Sequence, residues 1–363
     1  MITQAFSRAY GLGRAVVIVE KPPVVDIPVP KQVSDDGIDD SGYTLTAFPF
    51  LTMNPNLAVD PGYRALHEQA AWFDLSARGR IRVTGEDRAR LLHAMTTQQV
   101  EQMKPGDGCY TFFLNAQGRI LGDAYLFCFE DHFLLDSEPE TRQKLYEHLD
   151  RFIIADDVAL EDVTDRIAEI AIEGPAAEAT LQSMAAPIPG ADQSTVAWGD
   201  RVVARINMTG AGGFRVLLPT AAKEDFQRSL RVPQASAGDA RLVRLEHGVP
   251  RYGEEISERF LVQETAQMQA VNFNKGCYLG QEIVERLRSR AQIHRILRAL
   301  LIESSEVPPA GTKLQAGETE VGEIVSAAYS PALGKVVAMA YVKIPSSEPG
   351  TELRWGTARA RIS

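Results

Sequence analysis

Cysteine is scarce in this chain. Cys109, Cys128 and Cys277 are the three in 363 residues. They are far apart and odd in number, so no disulfide framework is implied and a reducing compartment is the natural home. No CxxC pair and no Cys/His cluster occurs, which removes any obvious four-ligand zinc or iron–sulfur site within this chain, and no metal is expected. Long apolar runs are missing too. Ala15-Val16-Val17-Ile18-Val19 is too short to cross a bilayer and lacks the layout of a secretory signal, so no membrane partner is expected. Positive charge is in deficit, with 38 Lys and Arg against 48 Asp and Glu and a net charge of −10. An acidic chain is a poor general ligand for polyanions, so nucleic acid is not the default partner, although a local basic patch stays open. The six histidines are scattered. Only His247, after Glu246, falls near a candidate pocket, and no Ser/His/Asp arrangement can be assembled. Gly11-Leu12-Gly13 opens no strand–turn–helix unit and is weak evidence for a dinucleotide loop.

What is present is globular. A hydrophobic fraction of 45% and a charged fraction of 24% supply a large core and suffice for two or three domains. Residues 1–43 read as a peripheral arm, punctuated by Lys21-Pro22-Pro23, Pro28-Val29-Pro30 and the acidic run Asp35 to Asp40. From Pro61 the pattern tightens. Tyr63, Leu66 and Ala70 share a helical face, Arg80 to Val83 alternate as a strand, and Thr84 with Asp87 fits a helix start. Leu91, Leu92 and Met95 supply that helix's buried face. Cys109 to Phe113, the turn Asn115-Ala116-Gln117-Gly118, Arg119 to Phe129 and Phe133 to Leu135 read as three strands. Ser137 with Glu140 forms a second capping box. Val202 to Met208 and Phe214 to Leu218 predict a hairpin, Ala222 to Leu230 a short helix, and Arg241 to His247 another. Strands and helices mix without a strict βαβ repeat, which predicts an α+β fold. After Arg290, short runs between glycines and prolines predict a small all-β domain with strands over Ile296–Ile302, Glu320–Ser326 and Val336–Val342. The expected division is 1–43, then 44–290 with a subdomain break near 185–200, then 291–363.

The chemistry concentrates in Lys275-Gly276-Cys277-Tyr278-Leu279-Gly280-Gln281-Glu282. Two glycines flank a tight turn, and Ile283, Val284 and Leu287 start an amphipathic helix after it. Cys277 would then sit just before a helix N-terminus, where unpaired N–H groups and Lys275 favour a thiolate and Glu282 opposes it. The alternative is a small buried apolar cysteine.

This stretch resembles, at every fixed position, the signature of the YgfZ-type folate-binding proteins, a branch of the glycine-cleavage T-protein (aminomethyltransferase) superfamily. The resemblance implies a T-protein-like domain followed by a C-terminal β-barrel, with tetrahydrofolate or a folate derivative as cofactor. Helix, Phe73-Asp74-Leu75-Ser76, strand, Val83-x-Gly85-x-Asp87 and helix follow the opening of such a domain. Cys277 and Lys275 become the candidate catalytic pair. Asp123 becomes a pterin or amine contact, and Tyr278, Gln281 and Glu282 border the folate. Arg244-Leu245-Glu246 resembles the family's Arg-x-Glu element, so Glu246 can accept from the pterin ring and Arg244 can pair with the glutamyl tail. Tyr252 and Phe273 can wall a flat ring. Two positions depart from a T-protein. The adjacent Asp pair reads Gly122-Asp123, and the Thr-Gly-Glu-x-Gly segment reads Thr209-Gly210-Ala211-Gly212-Gly213. A methyl group at 211 can neither accept an N–H nor move a proton.

The resulting expectation is a folate-binding accessory protein that supports assembly or repair of iron–sulfur proteins, with assembly or client proteins as partners. That role is implied by the resemblance alone. A folate-dependent aminomethyl- or methyltransferase is the alternative, and the two departures lead us to expect no turnover from it. The further alternative is a tRNA-modification-related RNA-binding protein using Arg286, Arg288, Arg290, Arg295 and Arg298. A bacterial cytoplasm is the expected compartment, with an organelle as the other choice.

Overall fold

The computed structural model describes residues 59–290 and 293–363, the side chains of 287–290 apart. The arm expected over residues 1–43 lies outside them. In chain order the elements are α1 (Pro61–Glu68), β1 (Ala71–Asp74), β2 (Gly79–Thr84), α2 (Arg88–Met95), β3 (Gly108–Leu114), β4 (Ile120–Cys128), β5 (Phe133–Ser137), α3 (Arg142–Asp150), β6 (Ala159–Asp162) and β7 (Ile167–Glu173). Then come α4 (Ala177–Ser183), β8 (Thr195–Trp198), β9 (Arg201–Ala204), β10 (Gly213–Pro219), α5 (Lys223–Ser229), α6 (Ala237–Glu246) and α7 (Gln281–Arg290). The last part holds β11 (Arg295–Ile302), β12 (Lys313–Ala316), β13 (Thr319–Ser330), β14 (Lys335–Lys343), β15 (Glu352–Trp355) and β16 (Ala358–Ile362).

These strands make two five-stranded sheets and one closed barrel. The first sheet has the order β1-β7-β10-β9-β8, the second β3-β4-β5-β2-β6, and the barrel β11-β14-β13-β12-β15-β16. The pairings are antiparallel, so the fold is α+β, a two-sheet core followed by a barrel. The chain lays down β1, builds the whole second sheet, and returns at β7 to finish the first.

The second sheet positions the chemistry. Its helix face buries Ile81, Phe113, Ala124, Leu126 and Leu135 against Leu91, Leu92, Leu145 and Leu149. Phe113 pairs with Gly122, yet Leu114 pairs with Ile120, so Leu121 is an extra residue in β4. A bulge of this kind re-aims the side chains beyond it. Ile120 therefore joins Phe112 and Leu114 on the opposite face, while Leu121 turns towards the helices.

Two of the expected helix starts are built differently. α2 has no side-chain cap: Asp87 instead accepts from the Asp157 amide at 2.9 Å, and Asp157 accepts from the Glu86 amide at 2.9 Å. That exchange ties the helix to the loop before β6. Ser137 ends β5 rather than capping α3, which follows a short 3-10 turn at Pro139–Thr141. Conversely, α6 begins at Ala237, ahead of the expected Arg241, because Ser236 and Asp239 form a reciprocal capping box. Its Leu245 packs on Leu297, Val337, Met339 and Tyr341 of the barrel wall.

Candidate active site

Asp123 lies on the face of β4 opposite the helices. Phe112 is its cross-strand partner, and Tyr110, two residues earlier on β3, donates its hydroxyl to Asp123 Oδ2 at 2.6 Å. Asp123 is 5% exposed. Burial, reinforced by the nearby Glu138 carboxylate, raises its pKa to about 6, against the pull of the Tyr110 hydrogen bond and of Arg78. On the same face Phe112, Ile120, Tyr252 and Tyr278 share one apolar cluster, with Tyr110 and Phe273 packed against it. The Tyr278 hydroxyl is buried without a hydrogen-bond partner among the described residues. A carboxyl with a raised pKa, an unfilled phenol oxygen and several aromatic faces suit a flat, hydrogen-bonding heterocycle.

Asp123 keeps its perturbed state because the nearby arginines are committed elsewhere. Arg78 Nε donates to both oxygens of Asp136, at 2.9 and 3.1 Å, and its guanidinium also pairs with Glu138. Arg215 reaches Asp136 at 2.6 Å and Glu169 at 3.2 Å, and Arg80 reaches Glu169 at 3.2 Å. Arg251 donates to Glu138 at 2.8 Å and to Glu140 at 2.8 Å. Burial alone would raise Glu138, but Arg78 and Arg251 outweigh it and hold it below the usual carboxylate range. Glu138 therefore stays charged and pushes Asp123 upward. Arg78, Tyr110, Glu138 and Arg251 were not among the residues expected from sequence. The alternation of Tyr110 with Phe112 was the available signal, but it points at Asp123 only once the bulged β3–β4 register is known.

The signature loop packs on the turn between those two strands. Gly280, at φ +83°, brings its Cα so close that an added Cβ would lie 2.6 Å from the Asn115 carbonyl oxygen. Gly118, at φ +69°, faces Ile283 in the same way. Both positions require glycine on steric and conformational grounds. Lys275 is buried, and its Nζ donates to the carbonyls of His93, Thr96 and Gln98 at 2.6, 2.7 and 2.6 Å. It closes the C-terminal end of α2 and lies 4.9 Å from the centre of the Tyr278 ring. Burial lowers its pKa to about 7. Cys277 is exposed, which removes the small buried alternative, whereas burial pushes Cys109 up to about 12 and raises Cys128. Gln281 accepts the Tyr278 amide at 3.3 Å, and Glu282 is exposed in the first turn of α7.

Other expected residues are engaged within the protein. Arg244 donates to the Val249 carbonyl at 2.6 Å and to Glu255 at 2.8 and 3.1 Å, and it also pairs with Glu254. Glu246 accepts from the Tyr63 hydroxyl at 2.6 Å and lies 2.8 Å from His67 Nε2. The Arg-x-Glu element thus locks α6 to α1 and to the following loop. The Tyr252 hydroxyl accepts from Lys144 at 3.0 Å while its ring joins the aromatic cluster. Ala211 packs against the apolar cluster that contains Tyr63 and Phe73. Glu173 holds the segment before it, taking the Met208 and Thr209 amides at 2.6 and 2.9 Å and the Thr209 hydroxyl at 2.5 Å. The arginine run does not form one strip. Arg295 is paired to Glu264 at 2.9 Å, Arg298 is buried and donates to the Ser347 carbonyl, and the side chains of Arg288 and Arg290 lie outside the described ones.

Two family models match the chain. Residues 48–275 match the GCVT N-terminal domain, and residues 295–363 match the glycine cleavage T-protein C-terminal barrel domain. An aminomethyltransferase of Streptomyces coelicolor is 31% identical over 315 residues, 79% of this chain and 82% of the relative. A putative chloroplastic transferase of Arabidopsis thaliana is 29% identical over 264 residues, 70% of this chain and 60% of the relative. The crystal structure of aminomethyltransferase T of the glycine cleavage system of Bartonella henselae superposes with a TM-score of 0.77 at 22% identity, covering 89% of this chain and 93% of that one, a likeness of fold. These findings overturn the expected iron–sulfur accessory role and its client partners. The similar proteins carry the name aminomethyltransferase, and nothing in their names or in this geometry points to cluster assembly. Among the described residues no helix is long and apolar enough to cross a membrane.

Proposed function

The chain belongs to the glycine cleavage T-protein family, and from that premise we propose that it binds tetrahydrofolate and transfers a one-carbon unit to it from an aminomethyl donor. The observation that carries this reading is Asp123, a buried carboxyl with a pKa of about 6 beside an aromatic face. Near neutral pH such a group is mostly ionised yet basic enough to hold a proton that a reacting amine gives up. Tyr110 fixes one oxygen and leaves the carboxylate oriented. Tyr252 and Tyr278 supply faces for the ring, and the free Tyr278 hydroxyl supplies a hydrogen bond. Folate would bring the nucleophilic nitrogen; as it bonds to the one-carbon unit the donor's C–N bond breaks, and Asp123 would pass the proton lost by the attacking nitrogen to the amine that leaves as ammonia.

The missing half of the Asp pair does not weaken this reading. A Cβ at Gly122 would meet Leu145 and Thr141 at 3.2 Å, on the helix face, away from Asp123. An aspartate there would have no route to the same ligand. Ala211 is a different matter: its methyl group can neither accept an N–H nor move a proton, so selectivity for the pterin edge falls on Asp123 and the tyrosines.

Within the family, the unbroken signature and the exposed Cys277 favour the YgfZ-type branch. On that reading a Cys277→Ser variant loses at least about tenfold in transfer rate with folate affinity intact, a loss of about 1.4 kcal/mol in transition-state stabilisation. An unchanged rate would leave the thiol without a chemical role.

The proposal is tested by titrating the full chain with tetrahydrofolate and then supplying an aminomethyl donor. Wild type is expected to bind and turn over. Asp123→Asn is expected to bind and to transfer about 100-fold more slowly, the lower end of a general base's contribution. Absence of binding, or binding without turnover in the wild type, refutes the transferase reading.

A further inference from the structure

A cavity lies on the other face of the sheet that carries Asp123. It is an open cleft of about 310 Å³ between α3, the Asn115 turn and the signature loop. That volume sits at the small end of ligand pockets, roughly 300–1,000 Å³. Its lining is mostly apolar, with Leu121, Phe152 and Leu279 forming the floor. The bulge that turns Leu121 towards the helices opens this side of the sheet, so the cavity is separate from the aromatic face around Asp123.

Its polar groups are few and incompletely used. His148 lines the cavity, is 9% exposed, and leaves its buried Nε2 without a hydrogen-bond partner among the described residues. Burial keeps the imidazole neutral, so it offers one N–H and one acceptor. Arg151 stands beside it with an exposed guanidinium and no ion pair among the described residues. Lys144 contributes no free charge, because Glu258 at 2.7 Å and the Tyr252 hydroxyl engage its amine. Glu147, on the rim, accepts from Gln143 at 2.7 Å. One unpaired guanidinium beside one carboxylate leaves charge for a monoanion and too little for a dianion such as phosphate.

We propose that this cavity binds a small carboxylate with an apolar body, its carboxylate on Arg151 and His148 and its chain against Leu121, Phe152 and Leu279. The site is independent of the transferase reading, because it lies on the other side of β4. It nevertheless touches the signature loop through Leu279, so its occupant bears directly on the segment that carries Cys277.

The test is calorimetric titration of the full chain with octanoate, with octanol as the uncharged comparison. Octanoate is expected to bind, and octanol to bind at least about tenfold more weakly. Arg151→Ala, at an exposed position, should weaken octanoate at least about tenfold. Ala116→Trp, which puts a large ring on the exposed turn at the mouth, should weaken both ligands. Tetrahydrofolate affinity should be unchanged in both variants. No octanoate binding up to about 10 mM, or equal octanoate affinity in wild type and both variants, would overturn the proposal.

Discussion

Replacing Lys275 by methionine separates two roles that the signature leaves open, reagent and fastener. The side chain is 7% exposed, and its three short bonds run to carbonyls at the end of α2 that have no intrahelical donors. Charge-assisted bonds of this kind contribute roughly 1.5–3 kcal/mol each, but burying the ammonium opposes them. The shift from the unfolded value near 10.4 to about 7 corresponds to roughly 4–5 kcal/mol of that opposition. The net contribution of the intact lysine is therefore small, while the cost of removing it is not. Methionine fills the volume but leaves two buried acceptors and one half-buried one bare, at about 1 kcal/mol or more apiece, so we expect a loss of about 3 kcal/mol. For a chain of this size that lowers the Tm by about 4 °C, and scanning calorimetry reads it directly. The Leu279 amide, bonded to the Ala94 carbonyl at 3.0 Å, should exchange its hydrogen faster as the loop loosens. If Lys275→Met keeps the wild-type Tm and exchange pattern yet loses transfer activity, the amine is a chemical participant and the structural reading fails.

Asp123 titrates in the opposite sense to an ordinary salt-bridged carboxylate. Its folded pKa of about 6 lies above the unfolded value near 3.9, so its contribution to stability is fully present below about pH 4 and is lost as pH rises through 6. Asp123→Asn should consequently raise stability at pH 8 by up to about 2–3 kcal/mol, and the difference should vanish below pH 4 in denaturant titrations. Arg215→Met should cost about 3–5 kcal/mol, because it strips a partner from both Asp136 and Glu169 inside the protein; wild-type stability would contradict the ionic account. Gly122→Asp, which restores the family's acidic pair, should lower stability by about 3 kcal/mol by burying an unpaired carboxyl against Leu145, without raising transfer; a faster variant would show that position 122 does reach the site.

Much of the architecture was legible because its signals are local. The β3–β4–β5 meander followed from alternating apolar residues around Asn115 to Gly118, and the barrel from short strands cut by glycine and proline. The closure of that barrel, and the interleaving of the two sheets around β1 and β7, are long-range pairings that no local pattern encodes. The site was readable in part. Asp123, Tyr252 and Tyr278 were singled out and do share one face. Arg244 and Glu246 are expected ligand contacts whose side chains also engage Glu255 and Tyr63, and a structural ion pair and a ligand-binding one look alike in sequence. Glu138 and Arg78 were missed because their effect on Asp123 depends on which carboxylate each arginine selects. The iron–sulfur expectation failed for another reason: it was attached to the signature and had no residue pattern of its own to support it.

The central claim is that Asp123 takes the proton in one-carbon transfer to tetrahydrofolate. The measurement that tests it most directly is the single-turnover transfer rate against pH for wild type and Asp123→Asn. The account predicts a wild-type rate that falls tenfold per unit below about pH 6 and a slow, pH-independent rate for the variant. Superimposable profiles, with the variant as fast as wild type, would contradict it.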